Sequence, residues 1–390
     1  VTLLAPTRSS QYHARQPLRR PRIDLVLVSL TAAILVIGTL LVWSATAHNQ
    51  VLTKGDETEY LRKHLTNIVI GLCLAVAVAV TDRRWVRILA PLVYAASVFG
   101  LLLVLVMGST INGSRSWLLL GGLSIQPSEF AKLAVVVGMA LLVAERTESS
   151  RTRNVGLVEV LLMLAVAALP ALMILMQPDL GTMLVLAATV FGVLAAAGTP
   201  SRWMLGLGAA GVVGAVVVYI AGVLKPYQLN RFGAFMNPNL DPRGAGYNIN
   251  QARIAIGNGG LTGKGLFGGS QTRSGFVPEQ HTDFVFTVAG EEFGLLGAGL
   301  LIGLFALVLW RALLIARNSE DLFGRVAAAG IACWFGFQAF QNIGMCLGIM
   351  PVTGVPLPMV SYGGSSMFAS LMGIGLLINI ARSSVKPTRR

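Results

Sequence analysis

Stretches of about twenty apolar residues recur from near the start of this 390-residue chain almost to its end. In hydrocarbon every backbone polar group must be bonded within its own segment, so such stretches have to be helices. The pattern predicts spans at Leu25–Ala45, Leu65–Val80, Ile88–Met107, Phe130–Ala144, Val158–Met176, Gly181–Ala197, Trp203–Val223, Phe293–Trp310, Val326–Leu347 and Ser366–Ile380. Charged residues are only 12% of the chain and hydrophobic ones 54%. Too little charge is present to cover a water-facing surface, which excludes two soluble domains of this length. The reading is an all-α polytopic membrane protein of about ten spans.

Charge placement orients the spans. Arg15, Arg19, Arg20 and Arg22, then Arg83, Arg84 and Arg87, then Arg146, Arg151 and Arg153 fall on one side. Arg202, then Arg311, Arg317 and Arg325, then Arg382, Lys386, Arg389 and Arg390 share it. The positive-inside rule makes that side cytoplasmic, with both termini on it. The net charge of +13 is then mostly topological, and nucleic acid is excluded as a partner. The parts are a basic cytoplasmic tail at 1–22, one membrane domain at 23–384 and a basic tail at 385–390. The basic N-terminal segment followed by a full-length apolar run, without a small-residue cleavage site, is read as leading into a retained first span. Cys73, Cys333 and Cys346 lie in apolar stretches and form no disulfide framework or metal spacing.

The segment Leu224–Thr282 breaks the charge pattern. It lies on the outward side yet carries Lys225, Arg231, Arg243, Arg253, Lys264 and Arg273. Long loops escape the charge rule, so an ordinary solvated loop is one reading. Apolar residues and glycines interleave in helix-like patches at Ile249–Ile256 and Gly257–Gly269, which points to packed structure. Outward cations near a membrane surface suit an anionic ligand such as a lipid pyrophosphate.

Other polar residues sit where charge is costly. Glu129 and Lys132, three apart on one helix face, form either a structural ion pair or a lysine facing an outward polar pocket. Asp179, after Pro178, is placed to cap the helix from Leu180. The Ser361–Ser366 run is either a tight turn capping the last helix or a cavity wall. Asp283 ends a polar cluster, Pro278–Asp283, just before the chain re-enters the membrane. It is either a helix cap or a carboxylate made basic by apolar surroundings, suited to act as a general base.

Several motifs in order resemble the SEDS family, the RodA/FtsW group of bacterial cell-wall polymerases. They are Gln126–Lys132, Gln177–Thr182, Arg231–Pro238, Gln251–Gly260, Pro278–Phe284 and Gly354–Ser366, and the resemblance runs from first span to last. It implies a ten-span fold with cytoplasmic ends. The implied activity is peptidoglycan glycosyltransfer on lipid II, with Asp283 as the essential aspartate and Trp117 as the family tryptophan. Family members place Arg directly before that Trp; here Ser116 intervenes and the nearest cation is Arg115. The Glu279-Gln280-His281 wording resembles RodA, the cell-elongation branch, more than FtsW, which commonly has Ala after the Glu. Lys132, Arg231 and Lys264 are candidates for the phosphates, Trp117 for a sugar or lipid face, and Glu129 and Ser361 for the pocket wall. Glu279 and His281 would position Asp283. Asp283 could also ligate a divalent cation, Mg2+ or Mn2+. A class B penicillin-binding protein and membrane lipids are the implied partners, and the bacterial cytoplasmic membrane the implied location, with the site on its outer face. A lipid II flippase and a non-catalytic scaffold are the rival readings.

Overall fold

A computed structural model describes residues 23–53, 55–111, 114–120, 123–149, 155–222, 225–242 and 244–383. Both tails, Arg151, Arg153, Val223, Leu224 and Arg243, named above, lie outside the described residues. Among the described residues, ten helices are long and apolar enough to cross a membrane, as the hydropathy predicts.

The chain begins with α1 (Leu25–Ala47), a short α2 (Gln50–Thr53), α3 (Glu59–Val80) and α4 (Arg83–Met107). Three antiparallel strands follow, β1 (Ser109–Ile111), β2 (Ser114–Leu120) and β3 (Leu123–Ile125), in the order β1-β2-β3. Then come α5 (Pro127–Ser149), α6 (Leu157–Met176), α7 (Leu180–Ala197) and α8 (Ser201–Ile220). The loop region holds α9 (Pro226–Met236), a 3-10 turn at Pro238–Leu240, α10 (Ala245–Gly259) and α11 (Ser270–Ser274). The chain finishes with α12 (Val285–Glu292), α13 (Gly294–Asn318), α14 (Leu322–Leu347) and α15 (Gly364–Ser383).

Most spans extend beyond their apolar stretch, as α3 and α5 do at their polar starts, because helix continues into the interface once nucleated. The strands were not predicted. The span pattern leaves Gly108–Pro127 only as a connection, and it pairs because Leu118–Leu120 meets Leu123–Ile125 in an antiparallel register. Arg115 has a structural task there. Its guanidinium donates to the carbonyls of Gly108 (2.8 Å) and Val106 (2.9 Å), closing the C-terminal end of α4.

Burial sorts the spans. In the apolar windows of α5, α14 and α15, 78%, 72% and 72% of residues are buried, against 0% for α8, so the first three are the core. Their polar residues explain the choice. Glu129 and Lys132 on α5 and Gln338, Gln341 and Asn342 on α14 are all fully or almost fully buried, because facing lipid would cost several kcal/mol per charge. Helix α15 packs along α3, where Gly375 permits close approach; a Cβ there would lie 2.4 Å from the Ala75 carbonyl oxygen.

The long loop is structured, as its apolar interleaving predicts, but only partly as helix. Ile249–Ile256 lies within α10, whereas the chain after Gly259 runs in turns up to α11. Glu291 anchors the start of α11, where those turns end. Its carboxylate accepts from the Gln271 and Thr272 amides (2.8 Å each) and the Thr272 hydroxyl (2.7 Å). On the face assigned as cytoplasmic, Asp24 accepts from Leu27 N–H at the start of α1 and from Arg311 (2.8 Å), tying α1 to α13.

Candidate active site

The site is built where the 278–284 turn before α12 and the Pro351–Gly363 connection meet at the C-terminal end of α14, with α9 reaching the connection through Arg231. Glu279 initiates the turn. It adopts a positive φ of 51°, and its carbonyl accepts from the amides of Thr282, Asp283 and Phe284. The chain therefore curls tightly enough to bring Asp283 in front of α14. Asn342 donates 2.7 Å to the Asp283 carbonyl and 2.8 Å to the Val355 carbonyl. Gly354, with φ +72°, lies directly against the Asp283 carboxylate; a Cβ there would come within 3.3 Å of Oδ2.

The Asp283 side chain itself is half-buried, and none of the described residues hydrogen-bonds its carboxylate oxygens. Desolvation, then the nearby Glu279 charge, raise its proton affinity to about 7, while Arg231 pulls the other way. It is not the cap of α12; Phe284 holds that position without a side-chain bond.

Asp179 lies in the same electrostatic neighbourhood but is committed elsewhere. Its oxygens accept from Thr182 N–H (2.9 Å), Thr182 Oγ1 (2.8 Å) and Gln126 Nε2 (3.2 Å), the cap predicted for α7. Burial raises its proton affinity, opposed by the Thr182 bonds. A recess lined by Pro178, Tyr227, Arg231, Phe232 and Thr353 does not include Asp283 in its wall; Thr353 precedes Gly354, the residue against the Asp283 carboxylate, and the Arg231 charge reaches that carboxylate. Arg231 stands over the Tyr227 ring and 3.5 Å from the Thr353 carbonyl. Arg231, named from the sequence as a candidate for the phosphates, thus lines this recess.

Other candidates are placed differently. Lys132 does not face an outward pocket. It is fully buried, bonded to Glu129 (2.7 Å) and Gln338 Oε1 (2.8 Å), and lies over the Trp334 ring. The structural ion-pair reading is the one realised, because a lysine this deep needs a carboxylate to offset its desolvation. Ser361, buried, does not cap α15; its hydroxyl accepts from Leu357 N–H (2.8 Å) and closes the turn of the connection. Lys264 is exposed and its amide binds the Glu291 carbonyl, at the far end of α12 from Asp283, about 12 Å of helix away. Trp117 is half-buried on β2, in the sheet that rests on α4 and α5.

His281 is buried against Tyr60 and Tyr362, ring centroids 5.1 and 5.6 Å away, and its carbonyl accepts from Tyr362 N–H (2.8 Å). Burial lowers its proton affinity despite nearby Glu279, and its ring fills the space between α3 and Tyr362. Glu279 is exposed and bonds Thr282 Oγ1 (3.0 Å). The sequence reading missed Asn342 and Gln338. Two amides one turn apart in an otherwise apolar span were the available signal.

A divalent cation has a narrow fit here. No three His, Cys, Asp or Glu side chains come together among the described residues. Mg2+ tolerates a single protein carboxylate when phosphates and waters complete its shell, and Asp283 is the carboxylate available for that.

A multi-span helical protein with a carboxylate-centred site at the foot of a structured loop is thus defined. The family model described as Cell cycle protein, covering FtsW, RodA and SpoVE, matches residues 25–386. The chain belongs to this family, the SEDS proteins. The peptidoglycan glycosyltransferase MrdB of Escherichia coli is 36% identical over 92% of this chain and 93% of its own. Stage V sporulation protein E of Bacillus subtilis is 37% identical over 93% and 97%. Among solved structures, the rod shape determining protein RodA of Thermus thermophilus matches with a TM-score of 0.68 and 33% identity, over 94% of this chain and 98% of that one. A chain from a peptidoglycan synthase complex, studied for how polymerization and crosslinking are coordinated, matches with a TM-score of 0.77 and 34% identity over 94% and 99%.

Proposed function

We infer that the chain is a peptidoglycan glycosyltransferase of the SEDS type, polymerising lipid II on the outer face of the bacterial cytoplasmic membrane. Relatives along nearly the whole chain carry the peptidoglycan glycosyltransferase name. The observation that carries the chemistry is Asp283: a half-buried carboxylate without a hydrogen-bond partner among the described residues, its proton affinity raised to about 7, within the field of Arg231, which lines a recess.

Asp283 takes the proton from the 4-hydroxyl of the acceptor GlcNAc. That oxygen forms a bond to the donor sugar C1 as the bond from C1 to the pyrophosphate breaks. The electron pair leaves with the polyprenyl pyrophosphate, C1 inverts, and one β-1,4 linkage is made. Arg231 offers positive charge to the departing phosphates. A divalent cation held by Asp283 and the phosphates would supply further neutralisation. Lys132 and Glu129 act from inside the bundle as a fixed pair, not as direct ligands.

The Glu279-Gln280-His281 wording supports the elongation branch, hence a role in cell shape, while FtsW and MrdB relatives match the chain equally at 36% identity. A class B penicillin-binding protein is the proposed partner, supported by the likeness to a chain from a complex that joins polymerization to crosslinking. The test is polymerisation of labelled lipid II by the purified chain, alone and with that partner. Asp283→Asn should insert normally and make no polymer; polymer at the wild-type rate would remove Asp283 from the mechanism.

A further inference from the structure

We propose that Asn342 on α14 is a positioning residue for the reaction, setting the Asp283 carboxylate against the 353–356 connection by bridging the two main chains. The inference rests on Asp283 being the reacting carboxylate and adds the group that aims it.

The geometry is specific. The Asn342 side chain is fully buried. Its Nδ2 carries two hydrogens and meets two main-chain acceptors, Asp283 at 2.7 Å and Val355 at 2.8 Å, from segments more than seventy residues apart in sequence. Turning the amide over would aim its oxygen at two carbonyls, so the network fixes its orientation. Its Oδ1 is buried without a hydrogen-bond partner among the described residues. The donors are therefore the groups in use, and the acceptor is tolerated as a cost.

Fixing these two carbonyls fixes the carboxylate. Val355 follows Gly354, the residue pressed against Asp283 Oδ2, so the bridge sets how closely the connection covers the acid. That cover supplies part of the desolvation that keeps the acid basic. The same face of α14 carries Gln338 one turn further in. Gln338 donates 2.9 Å to the Pro356 carbonyl, and its Oε1 accepts from Trp334 Nε1 (2.7 Å) and Lys132 Nζ (2.8 Å). Two amides of α14 thus contact both the buried Lys132 of α5 and the main chain of Asp283, and they fasten the connection at the adjacent residues Val355 and Pro356.

The test is steady-state polymerisation of labelled lipid II from about pH 5.5 to 9, with Asn342→Leu, Asn342→Asp and, as a lipid-facing control on the same helix, Phe340→Leu. Asn342→Leu removes both donors. It should lower kcat by about tenfold to hundredfold, the range for sub-ångström to ångström misplacement, with KM within about twofold. The acid limb of its pH profile should move to lower pH as the carboxylate gains water. If that variant fails to fold, Asn342→Asp is read instead. A carboxyl there can donate only while protonated, so its activity should be confined to a narrower, lower-pH window than wild type. Phe340→Leu should match wild type. A wild-type kcat and pH profile for both Asn342 variants would overturn the proposal. So would a uniform loss of active protein with the pH limb unmoved. The underlying reading fails separately, through polymer made by Asp283→Asn.

Discussion

Exchanging Asp283 for asparagine removes a charge while keeping nearly the same shape, so it separates chemistry from folding. The folded chain holds this acid at about 7, against 3.8 for the ordinary group. Between those values the native state keeps a proton that the unfolded chain has released. Stability contributed by this group therefore falls as pH rises from about 4 to 7 and stays at its lower level above. At about 1.4 kcal/mol per tenfold in proton affinity, the folded chain loses about 4 kcal/mol by ionising Asp283 at pH 8. Asparagine does not ionise and escapes that cost. Asp283→Asn should thus be more thermostable than wild type at pH 8, the gap closing toward pH 4, while polymerisation falls by at least about a hundredfold. The assays are thermal unfolding midpoints of detergent-purified protein across that pH range and lipid II polymerisation at pH 7.5. A stability difference that does not change with pH would refute the desolvation argument, whatever the activity result. The same acid should make wild-type polymerisation rise with pH through about 7, as the base ionises.

Three further outcomes follow from the same contacts. Lys132→Met leaves Glu129 buried and unpaired and should cost about 3–5 kcal/mol; adding Glu129→Leu should restore much of the melting midpoint, and failure to do so would show that the pair is not what the site needs. Arg231→Gln removes the charge that lowers the proton affinity of Asp283, so the acid limb of the activity profile should move to higher pH, and an unmoved limb would place Arg231 outside the site's field. Glu291→Ala removes the acceptor for the Gln271 and Thr272 amides and should make the 260–276 region more sensitive to protease, with the span region unaffected; equal cleavage of wild type and variant would count against that anchor.

The spans were legible because hydrocarbon leaves the backbone only one partner, itself, so about twenty apolar residues already imply a helix. The cap at Asp179 was legible for a similar reason: Thr182, the residue it caps, lies three positions on. Asp283 could be singled out from its crowded polar neighbours and from the family motif. What surrounds it was not legible. Lys132 is three residues from Glu129 on one helix, a spacing that fits an outward lysine as well as a sealed pair; Gln338, from a distant span, decides for the pair. Lys264 belongs to the same loop as Arg231, yet only α12 reveals that it lies at the other end. The basicity of Asp283, its aim by Asn342 and its cover by Gly354 all depend on segments about sixty to seventy residues away meeting at the end of α14. Local spacing in a chain encodes helices and caps, whereas desolvation and long-range hydrogen bonds exist only once the helices have packed.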